Sequence, residues 1–571
     1  MADNPVLRGI DPARFEVVKN ALLSAAEEMK IVLAKTAYSP LLKVAGDYSC
    51  GIFNARGEMV AQGPDLPIHL GSMPDAVRSV AAAFPDVAEG DVFIHNDPYR
   101  GGSHLPDVNV VMPAFHEGTL LGFGCVRAHW PDIGSATPGS YGATTEIFGE
   151  GLRLPPVRLY RDGVPDPGIE AIILANVRTP SERLGDMRAQ VAANRRAVER
   201  MQGLAAKYGT AELLRIMDAI LDYSEAMMRQ ALRGLPDGTA AFEDVFDGDG
   251  VVEAGDAADR SFRVRIAFTK RGDSIAADFA GSDPAVPGPM NAPLSVTASG
   301  VYAALKMIVD PDSLIPPNSG CWRPVSVTAP PGSVVNAEEP SPVVYANHEM
   351  SHRISDMVFA AMFHICPDRV MAGSQGTSGV TTFGGVDWRT GERFVSYEST
   401  KGGFGARPVK DGINAIASVI SNMLNTPIEV LEMSAPLRVE EYALVPDSGG
   451  AGTWRGGCGV RRSWRILGGD MRGAMCFERT VTPPFGLQGG KPGGNARLSM
   501  RLPDGSTQRV PGKGAYTAPA GAVVTIEAPG SGGYGPPSGR DPAALQADLL
   551  DGYVTHEAAA RDYGAPRDRD P

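Results

Sequence analysis

The sequence predicts an α+β fold of more than one domain, with mixed sheets, helical segments and a β-rich, Gly-rich C-terminal part. The chain has 571 residues, more than one hydrophobic core usually serves. Stretches of helical periodicity alternate with short β-type runs, and 68 Gly and 47 Pro residues supply many turns. We expect a first domain with a helical extension at 1–240, a mixed α+β domain at 241–440 and a β-rich region at 441–571.

The first region begins with a helix and continues with strands. Apolar residues at helical spacing predict a helix over Phe15–Thr36. From Thr179 to Leu232 the same periodicity predicts two or three helices, broken at Gly203 or Gly209. Between these stretches, β-type runs are separated by Gly, Pro and Asp turns. Strands are expected at Cys50–Phe53, Asp91–Ile94, Val108–Met112 and Leu120–Val126.

The second and third regions mix both element types. The runs FRVRIAFTKRG and SIAADFAG alternate in polarity around a turn at Arg271–Asp273, which predicts a hairpin. From about Tyr442 onward, Gly residues and short β-type runs dominate. Helices are expected at Ala298–Val309, His348–His364, Asn414–Leu424 and Ala543–Leu550.

Composition argues against several classes of protein. The 53 Lys and Arg residues face 66 Asp and Glu residues, a net charge of -13, so there is no surplus of cations to bind nucleic acid or an anionic membrane. The first residues lack the pattern of a secretory signal, and no apolar run approaches a membrane span. We therefore expect a cytoplasmic protein. Its 6 Cys residues never form a C-x-x-C pair, which excludes a zinc ribbon.

The densest cluster of polar residues is HNDPYRGGSHLPDVNV at His95–Val110, followed by RAHWPDIG at Arg127–Gly134. His104 and Asp107 lie three residues apart across a Pro, and His129 comes from the next β-type run. Two imidazoles and a carboxylate form a ligand set for Zn, Mn or Fe, with positions left for water or substrate. Alternatively, these residues only hold Gly-rich turns by hydrogen bonds. Further residues that could bind or orient a ligand are Asp47, His69, Asn96, Asp97 and Asp132.

A second motif competes with this cluster. His348-Glu349-Met350-Ser351-His352 fits H-E-x-x-H, in which one helical face supplies two zinc ligands and a base. No extension with a third ligand follows. We favour a helix N-terminus with two incidental histidines over a metalloprotease site.

A nucleotide site is not evident in the sequence. The segment GLQGGKPGG resembles a P-loop, but Pro492 stands where a Ser or Thr would bind magnesium. If the reaction consumes a nucleotide, we expect another chain to bind it.

Several phrases in fixed order resemble the hydantoinase B / 5-oxoprolinase family. They are IHLGSMP, HNDPYRGGSHLPDVNVVMP, NTPIEVLE, DSGGAGTWRGGCGV, PPFGLQGGKPGG, GSGGYGPPSGRDP and GYVTHEAAARDYG. The likeness runs from about Phe15 to Gly564. It implies a β-type subunit that forms a hetero-oligomer with a hydantoinase A-type ATPase subunit, which uses ATP to phosphorylate an amide or ketone carbonyl.

The resemblance also bears on the metal site. The carboxylase branch of the family is similar to this chain at H-x-x-D and at a histidine of the following strand, where it binds a divalent metal. Those positions are His104, Asp107 and His129 here, the residues that ligand chemistry selects. Asp47, in AGDYSCGIF, resembles the family's D-x-S stretch and is expected as a fourth ligand.

These observations predict an ATP-dependent hydrolase that opens a cyclic amide: a lactam, 5-oxoproline or a hydantoin. A metal on His104, Asp107 and His129 would lower the pKa of bound water towards about 7. Asp47 or Asp97 would act as general base or orient the water, with His69 as a further catalytic candidate. Two alternatives stay open: a subunit of an ATP-dependent ketone carboxylase, and a noncatalytic scaffold for the ATPase partner.

Overall fold

A seven-stranded antiparallel sheet organises the N-terminal part of the computed structural model, which describes residues 7, 9–251 and 261–566. Its strands are β1 (Tyr48–Asn54), β2 (Met59–Gln62), β3 (Val92–His95), β4 (Asp107–His116), β5 (Thr119–His129), β6 (Val157–Arg161) and β7 (Val164–Pro165). They lie in the order β2-β1-β5-β4-β3-β6-β7. All four strands expected from the sequence belong to this sheet.

Helices cover this sheet. They are α1 (Pro12–Thr36), α2 (Met73–Ala83), α3 (Pro167–Ala175), α4 (Pro180–Tyr208) and α5 (Thr210–Arg233). Helix α4 packs on β4 and β5 through buried amides, and Gln190 Nε2 donates to the Val108 carbonyl at 2.9 Å. The break between α4 and α5 is Gly209, whose φ of +90° few other residues adopt, whereas Gly203 lies inside α4. The long helical stretch therefore consists of two helices.

A second, four-stranded sheet follows, with two helices beside it. Its strands are β8 (Gly238–Phe246), β9 (Phe262–Arg271), β10 (Ser274–Asp278) and β11 (Val325–Thr328), in the order β11-β10-β9-β8. Strands β9 and β10 form the expected hairpin, and β11 pairs parallel to β10. The helices are α6 (Leu294–Val309) and α7 (Glu349–Met362). Every residue of α7 is buried, so this helix runs through the interior.

The C-terminal part contributes two further sheets. One contains β12 (Val380–Val386), β13 (Arg393–Ser399), β16 (Met471–Cys476) and β19 (Lys513–Ala518). The other contains β14 (Leu437–Leu444), β15 (Val460–Ile466), β17 (Arg497–Arg501), β18 (Thr507–Arg509) and β20 (Val523–Glu527). Three short helices accompany them: α8 (Ile428–Ser434), α9 (Pro542–Leu550) and α10 (His556–Tyr563). This arrangement is the α+β fold with mixed sheets that the sequence predicts.

The helix expected at Asn414–Leu424 is wrong. This stretch contains neither helix nor strand apart from an isolated bridge between Ile416 and Gly402. Its backbone bonds to distant segments instead: the Ile420 carbonyl accepts from Ile68 N at 3.1 Å, and Leu424 N donates to the Ala45 carbonyl at 2.9 Å. Its two Asn, two Ser and three β-branched residues have modest helix propensity, so tertiary bonds override the apolar spacing.

All six cysteines are buried and unpaired, and burial raises the pKa of Cys50 and Cys476 well above the ordinary thiol value. Among the helices that the structure describes, none is both long and apolar enough to cross a membrane. The domain borders near residues 240 and 440 stay a prediction.

Candidate functional site

Two paired strands bring the predicted ligands together. Asp107 opens β4, His129 closes β5, and the two residues face each other in the antiparallel register. The loop before β4 carries His104 and passes Gly101, whose φ is +87°. A Cβ on Gly101 would lie 2.4 Å from the Asp75 carbonyl oxygen of α2. A side chain there would push the loop, and His104 with it, away from its position.

The side chains form a tight, buried group around the Asp107 carboxylate. Asp107 Oδ1 lies 3.1 Å from His104 Nε2 and 3.2 Å from His129 Nδ1. One potential ligand atom of each residue lies within 4.8 Å of the other two. Asp107 Oδ2 accepts hydrogen bonds from Ser103 Oγ at 2.5 Å and from Asn347 Nδ2 at 3.0 Å. Two donors therefore hold Oδ2, while Oδ1 faces the two imidazoles.

The tautomer of His104 makes this group suitable for a cation. His104 Nδ1 lies 3.0 Å from the Val344 carbonyl oxygen, which can only accept, so Nδ1 carries a proton. In a neutral imidazole, the lone pair of Nε2 then faces the Asp107 carboxylate. A divalent cation between them would remove this repulsion, and two ligand atoms on one such ion lie about 3.0–3.4 Å apart. The residues present therefore fit a metal ion.

Electrostatics favour the ligating forms of the other two side chains. Burial alone would raise the pKa of Asp107, but the neighbouring His104, His129 and His69 hold it well below its usual range. Burial lowers the pKa of His129 to about 4 despite its bond to Asp107. At neutral pH, Asp107 is thus ionised and His129 neutral, and these are the forms that bind metals.

A cavity of about 30 Å³ lies beside this group. Its polar walls come from the first sheet, from the start of α7 and from β13. The residues that line it are Asp47, Leu66, Ile68, His69, His129, Asn347, His348, His352, Ser378, Tyr397, Ser421 and Met423.

Asp47 and His69 are both candidates from the sequence, and both line the cavity. Burial and the negative charge of Asp107 raise the pKa of Asp47 to about 7. Asp47 is not in the tight group of His104, Asp107 and His129. His69 Nε2 lies 3.5 Å from Asp107 Oδ2, and its Nδ1 shares a 2.7 Å hydrogen bond with Ser49 Oγ. The role of Asp47 as a fourth ligand stays a prediction.

The other polar candidates of the first region have structural partners. Asn96 donates to the Leu105 and Leu152 carbonyls, at 2.7 and 2.9 Å. Asp97 forms an ion pair with Arg153 at 2.9 Å and accepts from Tyr99 N at 3.0 Å. Asp132 bonds to Arg178 at 2.6 Å. None of the three is among the described residues that line the cavity.

Only the two histidines of the H-E-x-x-H motif lie at the cavity. His348 and His352 both line the cavity, next to the group rather than apart from it. Glu349 turns away and accepts from Thr377 Oγ1 at 2.6 Å and from Ser378 N and Glu478 N at 3.0 Å. Both oxygens are thus engaged in bonds within the fold, and Oε1 also lies 3.2 Å from Nδ1 of His348. The group His348, Glu349 and Cys476 has metal-like spacing, but burial keeps the Cys476 thiol protonated.

Sequence reasoning missed four residues at the site. Tyr141 lies between His104, His129 and His348, and its hydroxyl shares a 2.8 Å hydrogen bond with His348 Nε2. The others are Asn347, Tyr397 and Lys401. The ring centroid of Tyr397 lies 4.8 Å from that of His129. Lys401 is 4% exposed, and burial lowers its pKa to about 8. A single Tyr or Lys belongs to no motif that its spacing would reveal. Of the four residues, only Asn347 lies next to a recognisable motif, H-E-x-x-H.

Comparison with known proteins places this chain in a family. The chain is 34% identical to caprolactamase subunit beta of Pseudomonas jessenii, over 97% of this chain and 96% of that protein. The crystal structure of the ATP-dependent caprolactamase from that organism superposes with a TM-score of 0.89 at 32% identity, covering 98% of both chains. A 5-oxoprolinase of Dictyostelium discoideum is 32% identical over 92% of this chain and 40% of that protein.

A more distant structure has the same fold. The nucleotide-free structure of an acetone carboxylase matches with a TM-score of 0.91 and 20% identity, over 99% of this chain and 81% of that one. At that identity the likeness concerns the fold alone. The family model for Hydantoinase B/oxoprolinase matches residues 11–537, nearly the whole described chain. The protein belongs to the hydantoinase B/oxoprolinase family.

Proposed function

We propose that this chain is the metal-dependent, hydrolytic subunit of an ATP-dependent cyclic amidase. Its substrate would be a lactam, 5-oxoproline or a hydantoin whose carbonyl oxygen has been phosphorylated by a hydantoinase A-type ATPase subunit. The observation that carries the proposal is the buried group of His104, Asp107 and His129 beside a cavity that Asp47 also lines. The relatives named caprolactamase and 5-oxoprolinase give the substrate class.

His104, Asp107 and His129 would hold the metal. A bound divalent cation supplies Lewis acidity, which lowers the pKa of water towards neutrality. Ser103 and Asn347 keep the Asp107 carboxylate oriented, and the Val344 carbonyl fixes the His104 tautomer. Such supporting bonds set both the direction and the basicity of the ligands.

Asp47 is suited to act as the general base. With a pKa raised to about 7, it is ionised in a useful fraction at neutral pH and still basic enough to accept a proton from water. Asp97 is bound to Arg153, so Asp47 is the better of the two candidates. Amide resonance makes a lactam a poor electrophile. Phosphorylation of the carbonyl oxygen weakens this resonance and makes the carbonyl carbon electrophilic.

The proposed reaction then balances as follows. Water adds to the activated carbon while Asp47 takes its proton. The ring C–N bond breaks, and the nitrogen receives the proton. Hydrolysis of the resulting acyl phosphate by a second water releases inorganic phosphate and the open-chain amino acid.

A ketone carboxylase subunit is the second candidate, because the acetone carboxylase structure has the same fold. The complex assayed with ketone and bicarbonate against lactam separates the two. Ketone-dependent carboxylation without lactam cleavage would replace the first proposal by the second.

The site itself is tested by removing its imidazoles. The His104→Ala/His129→Ala variant should lose about one equivalent of transition metal and the lactam-dependent ATP turnover of the complex, as measured by elemental analysis and phosphate release. His364→Ala, at an exposed histidine outside the cavity, is the matched control and should retain both. Full turnover by the correctly assembled double variant would favour the noncatalytic scaffold instead.

A further inference from the structure

Two segments that are distant in the sequence meet beside His104. One is the turn at residues 146–150, and the other is the irregular stretch at residues 338–345 before α7. Ile147 N donates to the Pro340 carbonyl at 2.9 Å, so the backbones of the segments are joined. The turn follows the strands of the seven-stranded sheet, and the stretch follows the four-stranded sheet. The surroundings of His104 therefore depend on how these two parts of the chain meet.

Glu150 joins the two segments by a pair of hydrogen bonds. Its Oε1 accepts from Val343 N at 2.7 Å and from Val344 N at 2.8 Å. The side chain is fully buried, and no other acceptor bonds either amide in the described part of the chain. Two consecutive peptide groups thus depend on one side-chain oxygen.

The next carbonyl group along this stretch is the one that contacts His104. The Val344 carbonyl oxygen lies 3.0 Å from His104 Nδ1. The same peptide group is held on its other side by Tyr345 N, which donates to the Pro289 carbonyl at 3.0 Å. Glu150 before this carbonyl and Pro289 after it therefore set the direction in which the carbonyl points.

This direction matters because the Asp107 carboxylate stabilises the tautomer of His104 that cannot bind a metal. His104 Nε2 lies 3.1 Å from Asp107 Oδ1, and a proton on Nε2 would form a charge-assisted hydrogen bond to that oxygen. The Val344 carbonyl opposes this, since an imidazole with its proton on Nδ1 keeps the Nε2 lone pair free. The tautomer that binds a metal is thus stabilised by a group outside the ligand set.

We propose that Glu150 is a positioning residue for the metal site: by holding Val343 and Val344, it keeps the Val344 carbonyl on His104 Nδ1 and Nε2 free for the metal. The inference rests on the proposed function, because it concerns the same metal site.

Glu150 acts through the place of its oxygen and not through a negative charge. Burial raises the pKa of Glu150 to about 8 despite the two bonds, so the uncharged acid predominates at neutral pH. Its other oxygen, Oε2, has no hydrogen-bond partner in the described part of the chain. A glutamine has an oxygen acceptor at the same distance from the backbone and should therefore replace Glu150.

The experiment measures the Kd for Zn²⁺ of the purified, metal-free full chain by competition with a chromogenic chelator. Zn²⁺ is the probe because such ligand sets bind it at least as tightly as Mn²⁺ or Fe²⁺. Glu150→Leu, which has no acceptor, should raise the Kd about 10–100-fold, whereas Glu150→Gln should leave it within about 3-fold. Glu150→Asp, whose carboxyl is one methylene shorter, is a milder variant and should raise the Kd at least about 3-fold. Thermal melting confirms that each variant is folded.

The tautomer of His104 is a second readout, which a general loss of stability would not change. It is observed by NMR in the metal-free chain with ¹⁵N-labelled histidine, above about pH 8, where an ordinary imidazole is neutral. The proton should lie on Nδ1 in the wild type and in Glu150→Gln, and on Nε2 in Glu150→Leu. The His104 signal is identified by its absence from His104→Gln.

Asp310→Leu is the matched control. Asp310 is 7% exposed and accepts from Leu314 N and Ile315 N, both at 2.9 Å, so the variant also leaves two consecutive amides without this acceptor. Asp310 is not among the described residues that line the cavity. The variant should lower Tm but leave the His104 tautomer unchanged and the Kd for Zn²⁺ within about 2-fold.

Three results would contradict the inference or its basis. A folded Glu150→Leu or Glu150→Asp protein that binds Zn²⁺ like the wild type, or an unchanged His104 tautomer in Glu150→Leu, would overturn the positioning role. An equal rise of the Kd in Asp310→Leu would also overturn it, because destabilisation alone would then explain the loss. A wild-type chain that does not bind Zn²⁺ would instead refute the metal site and, with it, the proposed function.

Discussion

At the scale of single residues, environment separates the roles of two neighbouring carboxylates. Asp107 receives bonds from Ser103 and Asn347 and contacts from three imidazoles, which hold its pKa well below the usual range. Asp47 lacks comparable support, and burial with the nearby negative charge raises its pKa to about 7. One is permanently ionised and suited to bind a cation; the other exchanges protons near neutral pH.

Asp47→Asn should therefore reduce kcat of the assembled enzyme by about 10²–10⁴-fold. The wild-type carboxyl is protonated below pH 7, so wild-type activity should fall as the pH drops through about 7. The residual activity of the variant should lack this acidic limb. Profiles of kcat/KM between about pH 5.5 and 9 test this, with Asp86→Asn, at a 72% exposed carboxylate, as control. An unchanged acidic limb in the Asp47 variant would assign the proton transfer to another group.

Sequence alone could identify the core of the site but not its walls. Ligand chemistry selects His104, Asp107 and His129 because the first two lie three residues apart at the start of β4 and the third closes the next strand. Tyr397 and Lys401 lie far along the chain, Tyr141 lies in the loop that follows β5, and no spacing relates any of the three to the cluster. The H-E-x-x-H motif lies at the cavity, but not as a zincin motif would require, since its histidines line the cavity while Glu349 does not.

At the scale of elements, regular segments could be predicted and the segments between them less so. The hairpin of β9 and β10 and the helices α1, α6 and α7 follow from periodicity. The stretch Asn414–Leu424 has apolar residues at helical spacing too, yet its bonds to Ile68 and Ala45 hold it in another conformation. Local spacing cannot reveal such partners, because they lie hundreds of residues away.

The loop between β3 and β4 supplies a test at this scale. Gly101→Ala should lower both thermal stability and metal content without removing a ligand, because the new Cβ would meet the Asp75 carbonyl at 2.4 Å in a strained backbone. Gly203→Ala is its counterpart: this helical Gly has open space, so stability should rise by about 0.5–1 kcal/mol. Melting curves and elemental analysis measure both. Equal metal content in the two variants would mean that the loop tolerates a side chain.

At the scale of the whole molecule, buried charges connect its sheets. Arg353 of α7 is fully buried; it forms a 2.9 Å ion pair with Asp244 of β8 and another with Glu478, which follows β16. Lys513, at the start of β19, also pairs with Glu478. The second and third sheets are thus joined through one helix, the helix that begins at the cavity.

Removing one partner from this network should be costly. Arg353→Met removes the central cation of this buried network and leaves Asp244 with Arg479 and Glu478 with Lys513 as their remaining partners, so we expect a loss of about 3 kcal/mol and a clear fall in Tm. Arg438→Met breaks an exposed pair with Glu440 and should change stability by less than about 1 kcal/mol. The double variant Arg353→Met/Glu478→Gln should recover part of the loss. Equal melting of the two single variants would show that the network contributes nothing to stability.

The burial of all six cysteines has a practical consequence. Thiol reagents act on exposed thiolates, and these side chains are sequestered and protonated. A cysteine introduced at Leu424, where the native side chain is 65% exposed, would consequently be the preferred attachment point for a fluorophore or spin label. A label at this position would therefore report on the stretch Asn414–Leu424 without interference from the native thiols.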